Sequence, residues 1–157
     1  MSPDPIKYRT TGIAGIECVR PLWDQLNRHH HTRARAFRDH YEQWTFDDRK
    51  ADFERIAAAG HLRIDLAMDA VSGKYVGYCI ASVSQEKYGE IESVFIEEAY
   101  RSRGVGSALM KRALGWLTAQ GSTRIRVSVA DGNEDAFPFY RKFGFHPRLT
   151  VLEMRGD

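Results

Sequence analysis

Apolar residues recur along this chain first at helical and then at strand spacing, and the changeover divides it in two. Ile16, Val19, Leu22, Trp23 and Leu26 lie three or four apart, which predicts a helix beginning near Gly15 with one apolar face. A short extended piece, residues 6–9, precedes it. Pro21 has no amide hydrogen to give a helix interior, so a kink or restart is expected there. Residues 29–46 are polar, laced with aromatics and without a clear period. Asp47 and Asp48 suit the start of a second helix whose inner face carries Phe53, Ile56 and Ala57.

From Leu62 the apolar residues alternate instead. Leu62, Ile64, Leu66 and Met68 have the period of a half-buried strand. Ser72-Gly73-Lys74 makes a turn, and residues 75–84 read as the returning strand of a hairpin. A second turn, Lys87-Tyr88-Gly89, leads into a strand over residues 90–96. A long helix is predicted over 104–120, burying Val105, Ala108, Leu109, Ala113, Trp116 and Leu117 and ending at Gly121. Residues 124–129 read as a strand with Ile125, Val127 and Val129 on one side. A short helix over 134–143 stops at Gly144, and residues 150–154 are expected as a last strand. No repeat or linker interrupts this order, which predicts one α/β domain over 1–157.

Composition narrows the class. The 157 residues are 43% hydrophobic and 28% charged, close to soluble globular averages. That excludes a disordered chain and a disulfide-dense miniprotein. With 23 Lys and Arg against 21 Asp and Glu, the net charge of +2 lacks the basic excess of a nucleic-acid specialist. Cys18 and Cys79 are far apart and read as two buried thiols in a reducing compartment. The first residues lack the apolar run of a secretory signal, and no stretch approaches the ~18 apolar residues that cross a bilayer. A cytoplasmic protein with no nucleic-acid or membrane partner is expected.

Chemistry concentrates after the third predicted strand. The run Arg101-Ser102-Arg103-Gly104-Val105-Gly106-Ser107 passes from a strand through a turn into a helix start. Two glycines leave backbone N–H groups uncovered at the positive end of that helix, a ready site for anions. Arg101 and Arg103 add forked, charged donors. The spacing lacks the Lys of a phosphate-binding G-x-x-x-x-G-K-[ST] loop and the third glycine of a G-x-G-x-x-G fingerprint. Alone, the loop is also what a flexible helix N-cap looks like.

A second segment decides between these. Asn133, Ala136, Tyr140 and Gly144-Phe145 follow the strand over 124–129. Together, R-x-x-G-x-G at 101–106 and N-x-x-A-x-x-x-Y with a closing G-F resemble the GCN5-related N-acetyltransferase superfamily. The two leading helices and the hairpin match the family's order of elements. The resemblance implies a mixed, mostly antiparallel central sheet flanked by helices, with two central strands splayed apart. It implies acetyl-CoA as co-substrate and no metal. The backbone of Ser102, Arg103, Gly104, Val105, Gly106 and Ser107 would cradle the CoA pyrophosphate. Val94, Phe95 and Ile96 would pair with the pantetheine arm as a strand does, and an N–H there would bind the acetyl carbonyl oxygen. Asn133 would hydrogen-bond the pantetheine, and Tyr140 would aim its hydroxyl at the CoA sulfur.

The chemistry needs such groups. Attack of an amine on a thioester builds charge on oxygen and expels a thiolate, so oriented N–H donors and a phenolic acid both serve it. The acceptor, an alkylamine with a pKa of about 10, must first lose a proton. Glu92 is the candidate base, since steps of two place it on one strand face with Val94 and Ile96. A Glu at this position resembles the arrangement in acetyltransferases of small amines. The later-strand Glu of some protein N-terminal acetyltransferases is replaced here by Ser128. Glu92 also reads as a structural partner of an Arg, and Tyr140 as a core tyrosine beside Phe137 and Phe143.

The run His29-His30-His31 points in three directions on a helix, which suits a solvated helix end better than a metal site. Residues 33–46 fit an aromatic wall over the acceptor pocket or plain packing at a sheet edge. Glu86, Glu90 and Glu92 would favour a cationic acceptor. Direct transfer from acetyl-CoA to a small-molecule amine is the function expected. Protein amino groups as acceptors, a non-catalytic acyl-CoA-binding module and a homodimer stay open.

Overall fold

The computed structural model describes residues 5–156. Residues 1–4, whose lack of an apolar run bears on targeting, and residue 157 lie outside the described residues. Five strands form one sheet in the order β1 (Ile6–Thr11), β2 (Gly60–Asp69), β3 (Tyr75–Ser84), β4 (Tyr88–Ile96), β5 (Arg124–Val127). The first four are antiparallel, and β5 runs parallel to β4. The parallel step requires a crossover, supplied by α4 (Val105–Ala119). The mixed, mostly antiparallel sheet flanked by helices is thus the architecture the motifs imply. No helix among the described residues is long and apolar enough to cross a membrane.

Two apolar layers cover the sheet. On one face, Ile16, Val19, Leu22, Trp23, Phe46 and Phe53 pack on Ile64, Leu66, Tyr78, Ile80 and Phe95. They come from a 3-10 turn, Ile13–Val19, from α1 (Arg20–Arg33) and from α3 (Phe46–Ala59). Pro21 resolves its conflict by position, since it stands in the first turn of α1 where no amide is needed. On the other face, Val105, Leu109, Met110, Ala113 and Leu117 of α4 pack on Ala67, Cys79, Ala81, Val83 and Ile91. Ala108 and Trp116 are only half-buried, and Met110 takes a core place the spacing did not assign.

Several predicted elements differ. Thr45, not Asp47 or Asp48, caps α3: its hydroxyl accepts from the Asp48 amide, and the Asp48 carboxylate accepts from the Thr45 amide. The helix over 134–143 is a 3-10 turn, Glu134–Ala136, followed by α5 (Phe137–Arg141). The strand over 150–154 does not form: residues 146–156 join no element and stay exposed. Within residues 29–46, which carry no periodic signal, α2 (Arg38–Gln43) forms and has no buried residue.

Candidate functional site

β4 and β5 stay together for four residues and then part. Tyr88 to Ile91 pair with Arg124 to Val127, after which β5 ends while β4 continues to Ile96 against β3 alone. The opening starts at a bulge. Ile80 pairs with Ser93 and Ala81 with Ile91, so Glu92 is the extra residue. A bulge bends its strand and raises the local twist, and the strands separate beside it. This is why β5 stops at Val127 rather than running to residue 129.

The bulge also moves Glu92. Ile91 packs on the α4 face, and so do Val94 and Ile96, three and five residues on. Strict alternation would have put Glu92 with Val94 and Ile96. The inserted residue instead turns its side chain to the opposite face, toward α3. There Ser82 Oγ donates to Glu92 Oε2 at 2.6 Å, and the Arg49 guanidinium donates to the Glu92 carbonyl at 3.0 Å and stands 3.6 Å from Oε1. Arg49 is held over the ring of Phe53, 4.1 Å from its centroid, with Trp44 at 5.7 Å. The Glu92 side chain is 9% exposed. Burial lifts its pKa above the usual carboxylate range; the Ser82 hydrogen bond and Arg49 oppose the rise, and the charge of Glu90 adds to it. Glu90 itself pairs with Arg126 at 2.6 Å.

Tyr140 lies on the other face. It belongs to α5 and packs on the α4 layer with Phe139, Phe143 and Phe145. Its ring meets Phe139 and Phe145 edge to face. Burial, with a smaller contribution from the buried Cys79, pushes the phenol above its ordinary pKa. Phenol and carboxylate therefore flank the opening from opposite sides of the sheet.

The glycine loop stands at the far end of the opening. Ser102 and Gly104 take left-handed φ values of 62° and 80°, and α4 starts at Val105 with no side chain capping it and no acidic residue in its first turn. Gly106 matters for a second reason. A Cβ there would lie 3.1 Å from the Phe139 ring and 3.4 Å from Ile96, so its absence lets α5 close onto α4 and β4. The two arginines fold back instead of reaching past the loop. Arg101 Nε donates to the Ile96 carbonyl at 2.9 Å with its guanidinium over Phe95, and Arg103 lies over Tyr100. Tyr100 in turn donates to Asp69.

A family model described as the Acetyltransferase (GNAT) family matches residues 23–145. The chain belongs to that family. It is 27% identical over 142 residues to the phosphinothricin N-acetyltransferase of Streptomyces coelicolor, covering 88% of this chain and 82% of that one. It is 29% identical over 153 residues to the mycothiol acetyltransferase of Beutenbergia cavernae, covering 93% of this chain. The chain spans about half of that relative's length, 48%, and 38% of an N-acetyltransferase of Methanocaldococcus jannaschii. Its fold is that of the aminoglycoside N-acetyltransferase AAC(6')-Iy, solved with a CoA bisubstrate analogue. The TM-score is 0.70 at 22% identity, over 98% of this chain and 99% of that one.

In this GNAT chain, α1 closes the mouth of the opening, which the spacing did not foretell. Asn133 Oδ1 lies 3.2 Å from His29 Nε2, and Gln25 donates to Glu97. Arg35 pairs with Asp131 at 2.5 Å and Glu134 at 2.6 Å, and Arg33 with Asp135 at 3.2 Å. Gly132, at φ 93°, passes so near the Arg33 carbonyl that a Cβ would lie 2.1 Å from it. A cleft of about 330 Å³ remains between α1 and β4, bordered by Arg28, His29, Phe95, Glu98 and Arg101. A second cleft, of about 530 Å³, lies between the 3-10 turn and α3, away from the opening.

The histidines are not a solvated helix end. His29 meets Asn133, while His30 is tucked beside Tyr41 with ring centroids 5.4 Å apart. Burial and the neighbouring His29 push its pKa down to about 4, so it is neutral near pH 7. Asn27 ties α1 to α2 by donating to the carbonyls of Tyr41 and Trp44. The aromatic stretch over 33–46 thus divides. Trp44 meets Trp23 edge to face and Phe46 enters the core, while Arg35 crosses to the Asn133 loop. No group of three or more metal-ligating side chains occurs among the described residues.

Proposed function

We propose that this chain is an acetyl-CoA-dependent N-acetyltransferase that moves the acetyl group directly onto a primary amine of a small molecule. One observation carries this reading: strand backbone at 92–96, open on the side that β5 vacates, lies between a half-buried phenol on one face and a carboxylate side chain only 9% exposed on the other. The pantetheine arm pairs with Val94, Phe95 and Ile96 in the place β5 vacates. The amides of Val105, Gly106 and Ser107 take the pyrophosphate, and Asn133, steadied by His29, holds the arm from across the opening. Arg101 and Arg103 supply charge near the loop without reaching past it.

The opposed faces separate the two proton transfers. The amine approaches from the α3 side, where Glu92 takes its proton through water, since a side chain only 9% exposed is not met directly. Its raised pKa makes the carboxylate a stronger base than a solvated Glu. A backbone N–H in the 94–96 stretch stabilises the charge that builds on the carbonyl oxygen. The departing thiolate takes its proton from Tyr140, a phenol that is protonated at neutral pH. Small molecules are favoured as acceptors because two relatives carry the names of phosphinothricin and mycothiol acetyltransferases.

Incubation with acetyl-CoA and a broad amine panel, following thiol release and ligand-induced thermal shift together, tests the reading. Thiol release with a small amine is expected. Turnover on peptide amino groups alone would move the acceptor to proteins. A thermal shift without turnover would make the chain a binding module, and no shift at saturating acetyl-CoA would remove the co-substrate. Tyr140→Phe should lower kcat about 100-fold while acetyl-CoA affinity holds; an unchanged kcat excludes Tyr140 as the acid.

A further inference from the structure

The bulge in β4 does more than turn Glu92. In a regular strand adjacent side chains point to opposite faces, yet Glu92 and Ser93 both reach the face covered by α1 and α3. Glu92 meets Ser82 and Arg49 there. Ser93 Oγ lies 2.8 Å from the hydroxyl of Tyr78, which packs in the same layer as Trp23, Phe46 and Phe53. Two consecutive polar side chains thus share one face, beside the backbone that β5 leaves open. Ser93 stands inside β4, so it serves no cap or turn.

Tyr78 is fully buried, and among the described residues Ser93 is the hydrogen-bond partner of its hydroxyl. A phenol keeps its hydrogen at neutral pH, and a buried O–H without an acceptor is costly. Ser93 Oγ is where that hydrogen goes. One lone pair of Ser93 is thereby taken, while the other and its own hydrogen stay available. Ser93 is only half-buried, so a partner can come to it. Burial lifts the Tyr78 pKa well above its ordinary value; the Ser93 hydrogen bond and the Arg49 charge oppose the rise, and Cys79 and Tyr140 add to it. The hydroxyl pair therefore lies within electrostatic reach of Tyr140 on one face and of the Arg49 beside Glu92 on the other.

On the acetyltransferase reading, we propose that Ser93 is a second contact for the acceptor: its oxygen accepts one N–H of the attacking nitrogen. Tyr78 is the positioning residue that keeps the free lone pair of that oxygen turned outward. The bulge then offers the acceptor two partners in a row. Ser93 holds one N–H and so aims the nitrogen lone pair at the thioester carbon. The other hydrogen leaves as a proton to Glu92, through water, as the amide forms. A neutral primary amine has two N–H groups and can do both, whereas an N-methyl amine has one and cannot. The pair thereby selects primary amines.

Steady-state kinetics on primary amines run beside their N-methyl derivatives, benzylamine and N-methylbenzylamine among them, test the contact. Wild type should favour the primary amine. Ser93→Ala should lower kcat/KM for the primary amine about tenfold, with little loss on the N-methyl amine and acetyl-CoA affinity held. Ser93→Thr keeps the hydroxyl and should restore the preference. Tyr78→Phe should shrink the preference about threefold, since the Ser93 hydroxyl is then free to turn. Ser93→Ala also strands the buried Tyr78 hydroxyl and should lower the melting temperature. Combining it with Tyr78→Phe should recover stability and still lack the preference. A wild type that acetylates both amines alike would overturn the proposal. Equal losses on both amines in Ser93→Ala would overturn it too, leaving Ser93 a structural partner of Tyr78. A wild type that binds acetyl-CoA yet acetylates no amine would instead overturn the acetyltransferase reading, and this contact with it.

Discussion

Helices α3 and α4 begin in opposite ways. α3 closes its N-terminus with its own side chains: Thr45 and Asp48 satisfy each other's amides, and Asp47 and Asp48 put negative charge on the first turn. α4 does neither. Gly104 stands at its N-cap with a left-handed φ, no side chain caps the turn, and its third position is Ser107 where α3 has Asp48. The capped start is exposed at Thr45, Asp47 and Asp48, buries Phe46, and places Arg49, one residue on, against the Glu92 bulge. The uncapped start faces the end of the opening between β4 and β5. Of the four amides that a helix start leaves without partners, side chains satisfy two in α3 and cap none in α4.

Ser107→Asp makes α4 resemble α3 and gives the largest effect. A carboxylate in the first turn should hold stability or raise it by up to about 1 kcal/mol. Acetyl-CoA binding should weaken about tenfold or more, as the same charge repels the pyrophosphate. Calorimetric titration and thermal unfolding read the two signs separately; affinity that holds while stability rises would end the contrast.

Arg49→Gln tests the other helix. Loss of the cation removes an influence that lowers the Glu92 pKa, so it should rise further. Glu92 acts as base only when ionised, so the acid limb of kcat/KM should move to higher pH, and Arg49→Lys should restore part of the shift. Glu92→Gln should abolish that limb; a profile identical to wild type would show that another group is the base. The smallest change is expected from Thr45→Ala, a loss of about 1 kcal/mol in unfolding free energy with acetyl-CoA affinity unaltered.

Spacing and motif made most of the frame legible. The amphipathic face of α4, the alternation of β2 and the R-x-x-G-x-G loop are local patterns, and local patterns survive folding. The Thr45-Phe46-Asp47-Asp48 box was equally local, and Thr-x-x-Asp before a helix was the signal that marks Thr45 as the cap. The face of Glu92 was not legible. A bulge breaks alternation without changing composition, and only the pairing of Ile80 with Ser93 and Ala81 with Ile91 exposes it. Nor were the bridges from His29, Arg33 and Arg35 to residues 131–135, which join segments about a hundred positions apart. Gly132 is needed there because the Arg33 carbonyl fills the space a side chain would take. The unformed strand over 150–154 has the opposite lesson: Thr150 and Val151 suit a strand, but a strand needs a partner, and among the described residues this segment pairs with none.

The central claim is that the β4 backbone beyond Glu92 and the uncapped start of α4 together receive acetyl-CoA. Amide hydrogen exchange across residues 92–107, with and without acetyl-CoA, addresses it residue by residue. Exchange should slow at 94–96 and at 104–107 on adding acetyl-CoA, while the capped first turn of α3 stays as it was. Unchanged exchange in both segments at saturating acetyl-CoA would contradict the account.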